Sequence, residues 1–257
     1  MDVVPAWAGV VDRLRAAGCV FAEDETALLA EASGDDDDLA ALVARRVAGE
    51  PLEQLLGWAA FDGLRIALAP GVFVPRVRTE FLAERAAAAA GPGSVVLDLC
   101  CGSGALGASV AARVPGIELH AADLDPAAVA CARGNLPGAA VHEGDLFDAL
   151  PTALRGRVDV LVSNVPYVPT SAIALLPPEA RDHEPRLALD GGPDGLAVAR
   201  RVLAGAPAWL APGGTVLFET SGAQVPAARA AVSAAGLVPA VDTDDGRGAT
   251  VVGGTAG

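Results

Sequence analysis

The chain has 257 residues, 52% of them hydrophobic, which is enough for one α/β domain with a smaller appendage and a packed core. Its 18 basic residues, all arginines, face 32 acidic residues and give a formal net charge of -14. A surface this negative repels phosphate backbones, which disfavours general nucleic-acid binding.

The amino-terminal segment, residues 1–15, lacks the basic and apolar parts of a signal peptide, and no later run approaches the roughly 20 apolar residues that span a bilayer. We therefore expect a cytoplasmic protein without a membrane partner, and a monomer. The four cysteines contain no Cys-x-x-Cys pair, so they predict neither a zinc site nor a disulfide framework. We interpret them as small packing residues. They are Cys19, Cys100, Cys101 and Cys131.

Residues 1 to about 55 have the spacing of helices, with apolar side chains recurring at helical intervals over 10–17, 23–32 and 39–48. Four consecutive aspartates, residues 35–38, precede the last of these runs. Carboxylates at this position cap a helix and complement its dipole, so we predict a helix start here and no metal site.

The pattern changes at Gly57. Apolar runs at 58–61 and 64–68 flank Asp62-Gly63, a dipeptide typical of a tight hairpin turn. A helix is predicted over about 78–90. Beyond it, strands are predicted at 94–99, 117–122, 139–142, 158–163 and 214–220, with a last pair near 237–243 and 248–253. Their alternation with helices predicts right-handed βαβ units and a doubly wound α/β sheet.

The first strand of this sheet leads into Gly102-Ser103-Gly104, with Gly107 three residues later and Asp123 at the end of the next strand. Glycines let the backbone pass close under a ligand, and the following helix presents free amides to it. The acid at the second strand suits a pair of ribose hydroxyls. Because NAD-binding proteins share this spacing, the loop by itself leaves NAD and other adenosyl cofactors open.

Further polar residues follow the strands. Asp98 ends the first strand, Asp145 follows the third, and Asn164-Val165-Pro166-Tyr167 follows the fourth. Acids at the ends of three strands would repel a pyrophosphate but suit a sulfonium, which favours S-adenosylmethionine over NAD. The Asn164 side chain and the Val165 carbonyl offer two acceptors for one NH2 group, an arrangement suited to methylating an amide or amine.

Over nearly its whole length the chain resembles the bacterial protein-(glutamine-N5) methyltransferases related to HemK and PrmC, which modify peptide chain release factors, and the ribosomal-protein enzyme PrmB. The matching segments are Gly49-Glu50-Pro51-Leu52, Leu55-Leu56-Gly57, Phe61 to Leu64, Pro70 to Arg76, Thr79-Glu80, the glycine loop, Ser163 to Tyr167, and Glu184 to Gly192.

The resemblance implies a Rossmann-like class I methyltransferase with a seven-stranded sheet over residues 77–257. It also implies a helical substrate-docking domain over 1–55 and a hairpin linker over 56–76. The cofactor is then S-adenosyl-L-methionine. The resemblance implies that its contacts are Cys100, Cys101, Gly102, Ser103, Gly104, Asp123, Leu146 and Asn164, and the acids at the strand ends add Asp98 and Asp145. It also implies that the tetrad Asn164, Val165, Pro166 and Tyr167 binds the substrate. Arg76 and Arg78 are expected either to bind substrate by orienting acidic residues of a protein partner or to form a solvated helix start.

The chain departs from the family pattern where substrate would lie. Val165 replaces a proline, so this is a branch with Asn-Val-Pro-Tyr in place of Asn-Pro-Pro-Tyr. Arg78 stands where the pattern has an acid, and the helical region is short. Val165 keeps the backbone carbonyl. Because it precedes Pro166, it is also still biased toward an extended backbone conformation. These departures favour a protein acceptor other than a release factor.

Asn164, Val165 and Tyr167 are the predicted catalytic residues for direct transfer of a methyl group to a glutamine amide nitrogen. Asn164 and Val165 would accept the two amide hydrogens, and Tyr167 would wall the pocket. His183 is a candidate base or a surface residue. His120 and His142 are interpreted as packing or hydrogen-bonding residues. Two alternatives remain: a nucleic-acid adenine-N6 methyltransferase, which the acidic charge disfavours, and a small-molecule or NAD-linked enzyme on the same fold.

Overall fold

The computed structural model describes residues 7–257. The first six residues of the predicted helical segment lie outside this range. The described chain begins with α1 (Ala8–Ala16), α2 (Ala22–Ala32), α3 (Asp36–Val47) and the short α4 (Leu52–Leu56). The first three confirm the predicted helices to within three residues at each end. The sequence reading missed α4, which has only five residues and ends at Gly57, whose φ is 71°.

The aspartate run begins α3 as predicted. The Asp35 carboxylate accepts a hydrogen bond of 2.9 Å from the Asp38 amide, and the next three aspartates fill the first turn. Arg45 and Arg46 occupy the last turn, so both ends of the helix carry charges that oppose its dipole. The helices α1 to α3 bury a small core of their own that includes Leu14, Leu29 and Val43.

Arg46 connects this helical region to the rest of the molecule. Its side chain is 10% exposed, and its guanidinium donates to the Glu25 carboxylate at 2.6 Å and to the Glu50 carbonyl at 3.2 Å. It also pairs with Glu179, on α8 (Pro178–His183), more than 130 residues further along the chain. A buried guanidinium with partners on separate elements fixes how those elements pack.

The hairpin forms as predicted, from β1 (Trp58–Phe61) and β2 (Leu64–Ala67) paired antiparallel. Its turn residues, Asp62 and Gly63, have φ values of 50° and 75°, which is the geometry that selects Asp-Gly at this turn. Asp62 also accepts from the Ser109 hydroxyl and the Arg113 guanidinium, so the turn is attached to the main domain.

The main domain is a seven-stranded sheet with strand order β5-β4-β3-β6-β7-β9-β8. Its strands confirm the predicted ones to within four residues at each end. They are β3 (Val95–Leu99), β4 (Glu118–Asp123), β5 (Ala140–Glu143), β6 (Val158–Ser163), β7 (Leu210–Glu219), β8 (Val238–Asp244) and β9 (Ala249–Thr255). All pairings are parallel except those of β9 with its two neighbours.

Helices cover both faces of this sheet. One face packs against α5 (Glu80–Ala89), α6 (Ala105–Arg113) and α7 (Pro126–Asn135). The other packs against α10 (Ala197–Gly205) and α11 (Val225–Ala234), while the short α9 (Arg186–Leu189) lies in the connection before α10. Among the helices of the described chain, none is both long and apolar enough to cross a membrane.

The central strand β3 shows how alternation assigns side chains to the two faces. Leu97 and Leu99 enter the core under α10 and α11, whereas Val96 enters the core under α5 and α6. Period-two alternation therefore directs Asp98 toward α6, where the Gly107 amide donates to it. The strand order reverses between β3 and β6, and in open α/β sheets a crevice forms at this reversal.

We predict that Arg46→Ala lowers the free energy of unfolding by roughly 3 kcal/mol, because it leaves the buried Glu25 carboxylate without its partner. Arg45→Ala is the matched control: it removes a neighbouring arginine whose pair with Glu50 is half exposed, and should cost less than about 1 kcal/mol. Urea unfolding of both variants measures the difference. Equal losses of unfolding free energy in the two variants would mean that Arg46 does not hold the helical region to the rest of the molecule.

Candidate active site

A cavity of about 420 Å³ opens at the carboxyl ends of β3, β4 and β6. This volume lies within the range of small-molecule sites. Every predicted site residue except Gly104 lines it. The lining therefore includes Arg76, Asp98, Cys100, Cys101, Gly102, Ser103, Asp123, Asp145, Leu146, Asn164, Val165, Pro166 and Tyr167. Gly104 lies at the start of α6, just behind the loop that forms the cavity floor.

The loop after β3 follows a path that ordinary residues rarely adopt. Gly102 and Gly104 have φ values of 55° and 80°, and a Cβ on Gly104 would lie 3.0 Å from the Leu136 side chain. Cys100 also has a positive φ, of 58°, and so does Leu146, of 50°. Non-glycine residues in this region are strained, and strain of this kind concentrates at functional sites.

Asp98 is fully buried beside this loop. Its Oδ2 accepts the Gly107 amide at 2.9 Å, while its Oδ1 has no hydrogen-bond partner among residues 7–257. Burial, with a smaller contribution from the nearby Asp123 charge, raises the pKa of this carboxyl to about 7 against the opposing hydrogen bond from the Gly107 amide. A buried acceptor without a partner is costly, and a cationic or hydrogen-bond-donating ligand would satisfy it.

Asp123 lies at the end of β4 and supports the same loop. Its two carboxylate oxygens accept the Gly102 amide at 2.8 Å and the Asp125 amide at 2.9 Å. Burial raises its pKa, and these amides oppose the shift. Each carboxylate oxygen keeps a free lone pair, so the group can still accept from a ligand's hydroxyls.

Asp145 forms a salt bridge with Arg201, a residue that the sequence analysis did not identify. Its Oδ2 accepts from the Arg201 guanidinium at 2.7 Å, at a half-exposed position on the cavity rim. Arg201 lines the cavity as well. This third acid is therefore paired with an arginine, whereas within residues 7–257 Asp98 and Asp123 accept hydrogen bonds only from backbone amides.

Asn164 follows β6 directly and has one free acceptor. Its Nδ2 faces the Thr79 hydroxyl at 3.5 Å, at the limit of a hydrogen bond, and its buried Oδ1 has no partner within the described part of the chain. The backbone carbonyl of Val165 likewise meets no donor in residues 7–257. Two neighbouring acceptors thus remain available at the cavity.

Tyr167 ends the tetrad and is part of a buried ionic network. Its hydroxyl donates to Glu219 Oε1 at 2.8 Å, and Arg78 Nε donates to the same oxygen at 3.0 Å. Glu219 is 2% exposed, and its second oxygen, Oε2, has no partner among the described residues. Burial and the Glu219 charge raise the Tyr167 pKa, so this hydroxyl stays protonated at neutral pH.

Arg76 also lines the cavity, but its charge is already compensated. Its guanidinium donates at 2.6 Å to Glu184, whose side chain is completely buried, and stacks over the Phe73 ring at 5.0 Å. Glu184 also accepts the Val74 amide at 3.3 Å. The pair joins the hairpin exit to the segment over the cavity, so acidic groups of a partner would compete with Glu184 for Arg76.

The three histidines do not line the cavity. His120 and His142 hydrogen-bond to each other at 3.3 Å and stack, as predicted. His183 does not line the cavity and faces Gly49. All four cysteines are free thiols. Within residues 7–257 no group of three or more ligating side chains is arranged to hold a metal ion.

Several residues at the site were missed by the sequence reading. They are Thr79, Arg78 in its role toward Glu219, Arg201, Glu219 and Gln224. Glu219 and Gln224 had a detectable signal, because they end the predicted strand 214–220 and follow it at the edge where ligands bind. Thr79 and Arg201 are on helical turns that only packing brings to the cavity.

Comparisons with known proteins agree with this geometry. Residues 63–175 match the methyltransferase small domain family. A release factor glutamine methyltransferase from Geobacter sulfurreducens is 38% identical over 84% of this chain and 77% of its own length. One from Mycolicibacterium smegmatis is 43% identical over 72% of this chain and 68% of its own.

Among solved structures, a methyltransferase from Pyrococcus furiosus is 18% identical and superposes with a TM-score of 0.58, over 83% of this chain and 97% of the other. This likeness shows the fold, and it confirms the predicted Rossmann-like methyltransferase architecture.

The raised pKa of Asp98 predicts an unusual dependence of stability on pH. Because the folded protein holds this proton more tightly than the unfolded chain does, the ionised carboxylate destabilises the fold progressively from about pH 4 to pH 7. We predict that the difference in unfolding free energy, Asp98→Asn minus wild type, is larger at pH 8 than at pH 5 by on the order of 2 kcal/mol. Denaturant titrations at both pH values test this, and a pH-independent difference would show that Asp98 stays ionised throughout.

Proposed function

The chain belongs to the family of release factor glutamine methyltransferases, and we propose that it transfers a methyl group from S-adenosylmethionine to the side-chain amide nitrogen, N5, of a glutamine in a peptide chain release factor. The observation that carries the chemistry is the pair of unpaired acceptors, Asn164 Oδ1 and the Val165 carbonyl, at the cavity where the strand order reverses.

The residues of the cavity fit this cofactor. Asp98 offers a buried carboxylate oxygen with no partner in the described chain, which suits the cationic part of S-adenosylmethionine. Asp123, at the end of β4, suits the two ribose hydroxyls. The glycine loop, with positive φ at Gly102 and Gly104, lets the backbone approach the cofactor beside these two acids. When bound, S-adenosylmethionine supplies an electrophilic methyl group on a sulfonium centre.

The acceptor amide needs help from the protein, because its nitrogen lone pair is delocalised into the carbonyl. Asn164 Oδ1 and the Val165 carbonyl accept the two N–H groups and hold the nitrogen with its lone pair directed at the methyl donor. Both acceptors are fixed before the substrate arrives, since β6 ends at Ser163 and Pro166 restricts the residue before it. Preorganised dipoles of this kind stabilise the transition state without further rearrangement.

A release factor is the acceptor favoured by the names of the relatives, against the distinct protein acceptor that the departures at Val165 and Arg78 suggested. Val165 is 1% exposed, and its contribution to the site is its backbone carbonyl, which a proline would supply equally. The acidic cavity and the net charge of -14 disfavour a nucleic-acid acceptor.

The proposal predicts that the purified chain, given methyl-labelled S-adenosylmethionine and a bacterial release factor, places one methyl group on a glutamine side chain. Peptide mass spectrometry locates the label, and a release factor with that glutamine replaced by glutamate is the control. The expected result is labelling of the unchanged factor alone. Label on another residue type, or transfer only to RNA or DNA, would refute the proposal.

Asn164→Ala should lower kcat by about 100- to 1000-fold, because it deletes one of the two preorganised acceptors. Thr79→Val is the matched comparison: it removes only the long contact to Asn164 Nδ2 and should cost less than about tenfold, since that contact is at the limit of a hydrogen bond. Steady-state kinetics with the release factor measure both. Near wild-type turnover by Asn164→Ala would show that Asn164 only forms the turn before Pro166 and does not take part in catalysis.

A further inference from the structure

The last residue of β7 and the turn that follows this strand hold Tyr167 at its hydroxyl and at its backbone. Glu219 accepts the Tyr167 hydroxyl at 2.8 Å, and Gln224 Nε2 donates to the Tyr167 backbone carbonyl at 2.9 Å. We propose that Glu219 and Gln224 are positioning residues for methyl transfer, which act by fixing Tyr167 against the acceptor. This inference rests on the proposed function for the identity of the reaction, and the contacts themselves are independent of it.

The orientation of the Gln224 amide follows from its partners. The Ser221 amide can only donate, and it meets Oε1 at 3.0 Å, with the Thr220 and Ser221 hydroxyls at 2.8 and 2.7 Å from the same oxygen. The carbonyls of Tyr167 and Asp194 can only accept, and both lie 2.9 Å from Nε2. Both hydrogens of the amide are therefore used to join two separate backbone segments to the end of β7.

The second of these segments is the loop of residues 190–195, whose first three residues end the Glu184 to Gly192 motif. It packs directly under the tetrad: Gly191 donates to the Val168 carbonyl at 2.8 Å, and a Cβ on Gly191 would lie 2.6 Å from the Pro166 carbonyl oxygen. A Cβ on Gly195 would collide with both Gln224 Nε2 and the Tyr167 carbonyl. Glycine is thus required for the loop to reach its position, and Gln224 joins loop and tetrad together.

Glu219 acts on the other end of Tyr167. It is 2% exposed and accepts from Arg78 as well, whose guanidinium lies 5.7 Å from the centre of the Tyr167 ring. A carboxylate held in this way restricts both the ring and the hydroxyl. Because a misplacement of about 1 Å can cost around 100-fold in rate, loosening either end of Tyr167 should reduce turnover more than binding.

The chain provides a matched control for Gln224 in its other glutamine, Gln54. The Gln54 amide also joins two backbone groups, donating to the Val72 carbonyl at 2.6 Å and accepting the Gly71 amide at 3.2 Å. Gln224→Ala and Gln54→Ala therefore remove the same side chain, with five hydrogen bonds at Gln224 and two at Gln54, and only Gln224 bonds to Tyr167. Glu219→Ala and Glu219→Gln form the second pair, since glutamine can still accept from both donors.

We expect Gln224→Ala and Glu219→Ala each to lower kcat for the release factor by about tenfold to 100-fold. The Kd for S-adenosylhomocysteine, measured by calorimetry, should stay within about twofold. Glu219→Gln should recover most of the activity, and Gln54→Ala should keep kcat although it removes two hydrogen bonds between separate backbone groups. Wild-type kcat in Gln224→Ala, or an equal loss of kcat in Gln54→Ala, would overturn the proposal.

A second measurement needs no acceptor. Tyr167 is the only tyrosine, so fluorotyrosine labelling gives a single fluorine resonance from the residue in question. Its chemical shift and line width should change in Gln224→Ala and Glu219→Ala, and not in Gln54→Ala. If the wild type fails to methylate release factors but these changes appear, the proposed substrate is wrong and the positioning role stands; an unchanged resonance in both variants would overturn that role.

Discussion

The structure depends on one topological constraint: the strand order of the parallel sheet reverses between β3 and β6. The connections after these two strands leave in opposite directions, to α6 on one face and toward α10 on the other, so the backbone parts at their carboxyl ends and a crevice opens. Asp98, Asp123 and Asn164 reach the crevice because they lie at or directly after the ends of β3, β4 and β6. Glu219 ends β7 at the same edge of the sheet, whereas packing of helical turns brings Thr79 and Arg201 to the cavity.

This crevice concentrates polar groups that the fold itself does not satisfy. Within residues 7–257, the buried side-chain atoms without partners are Asp98 Oδ1, Asn164 Oδ1 and Glu219 Oε2. All belong to residues at the same edge of the sheet, whereas buried polar groups elsewhere, such as Arg46 and Glu25, are paired. An unpaired buried acceptor costs on the order of 1–3 kcal/mol, and a ligand in the cavity would offset this cost at Asp98 and Asn164, which line it.

In contrast to these unpaired acceptors, the charged side chains that join the parts of the molecule are paired. Arg46, Arg76 and Arg113 each bind a carboxylate on a distant element and attach the helical region or the hairpin to the main domain. Arg76 was predicted either to bind acidic groups of a protein substrate or to lie at a solvated helix start. Its pair with Glu184 shows that it also closes the link between the hairpin exit and the segment over the cavity.

The sequence by itself determined the strands of the sheet and the residues at the strand ends that line the cavity. Continuous apolar runs such as 158–163 predict buried parallel strands, and residues that directly follow them must meet at one edge, so Asp98, Asp123 and Asn164 were identifiable without coordinates. The hairpin and the start of α3 were also predictable from the sequence, because Asp-Gly turns and aspartate caps act through local backbone geometry.

Tertiary structure decided which side chains meet. Arg201 pairs with Asp145, 56 residues away, and Gln224 reaches the Tyr167 carbonyl across 57 residues. Such contacts depend on the spacing of packed helices and on collisions like the one that requires glycine at position 195, and neither leaves a periodic signal in the sequence. Composition and spacing thus specify the cavity edge, while packing specifies how Tyr167 and Asn164 are held within it, because side-chain partners far apart in sequence are selected only by the folded geometry.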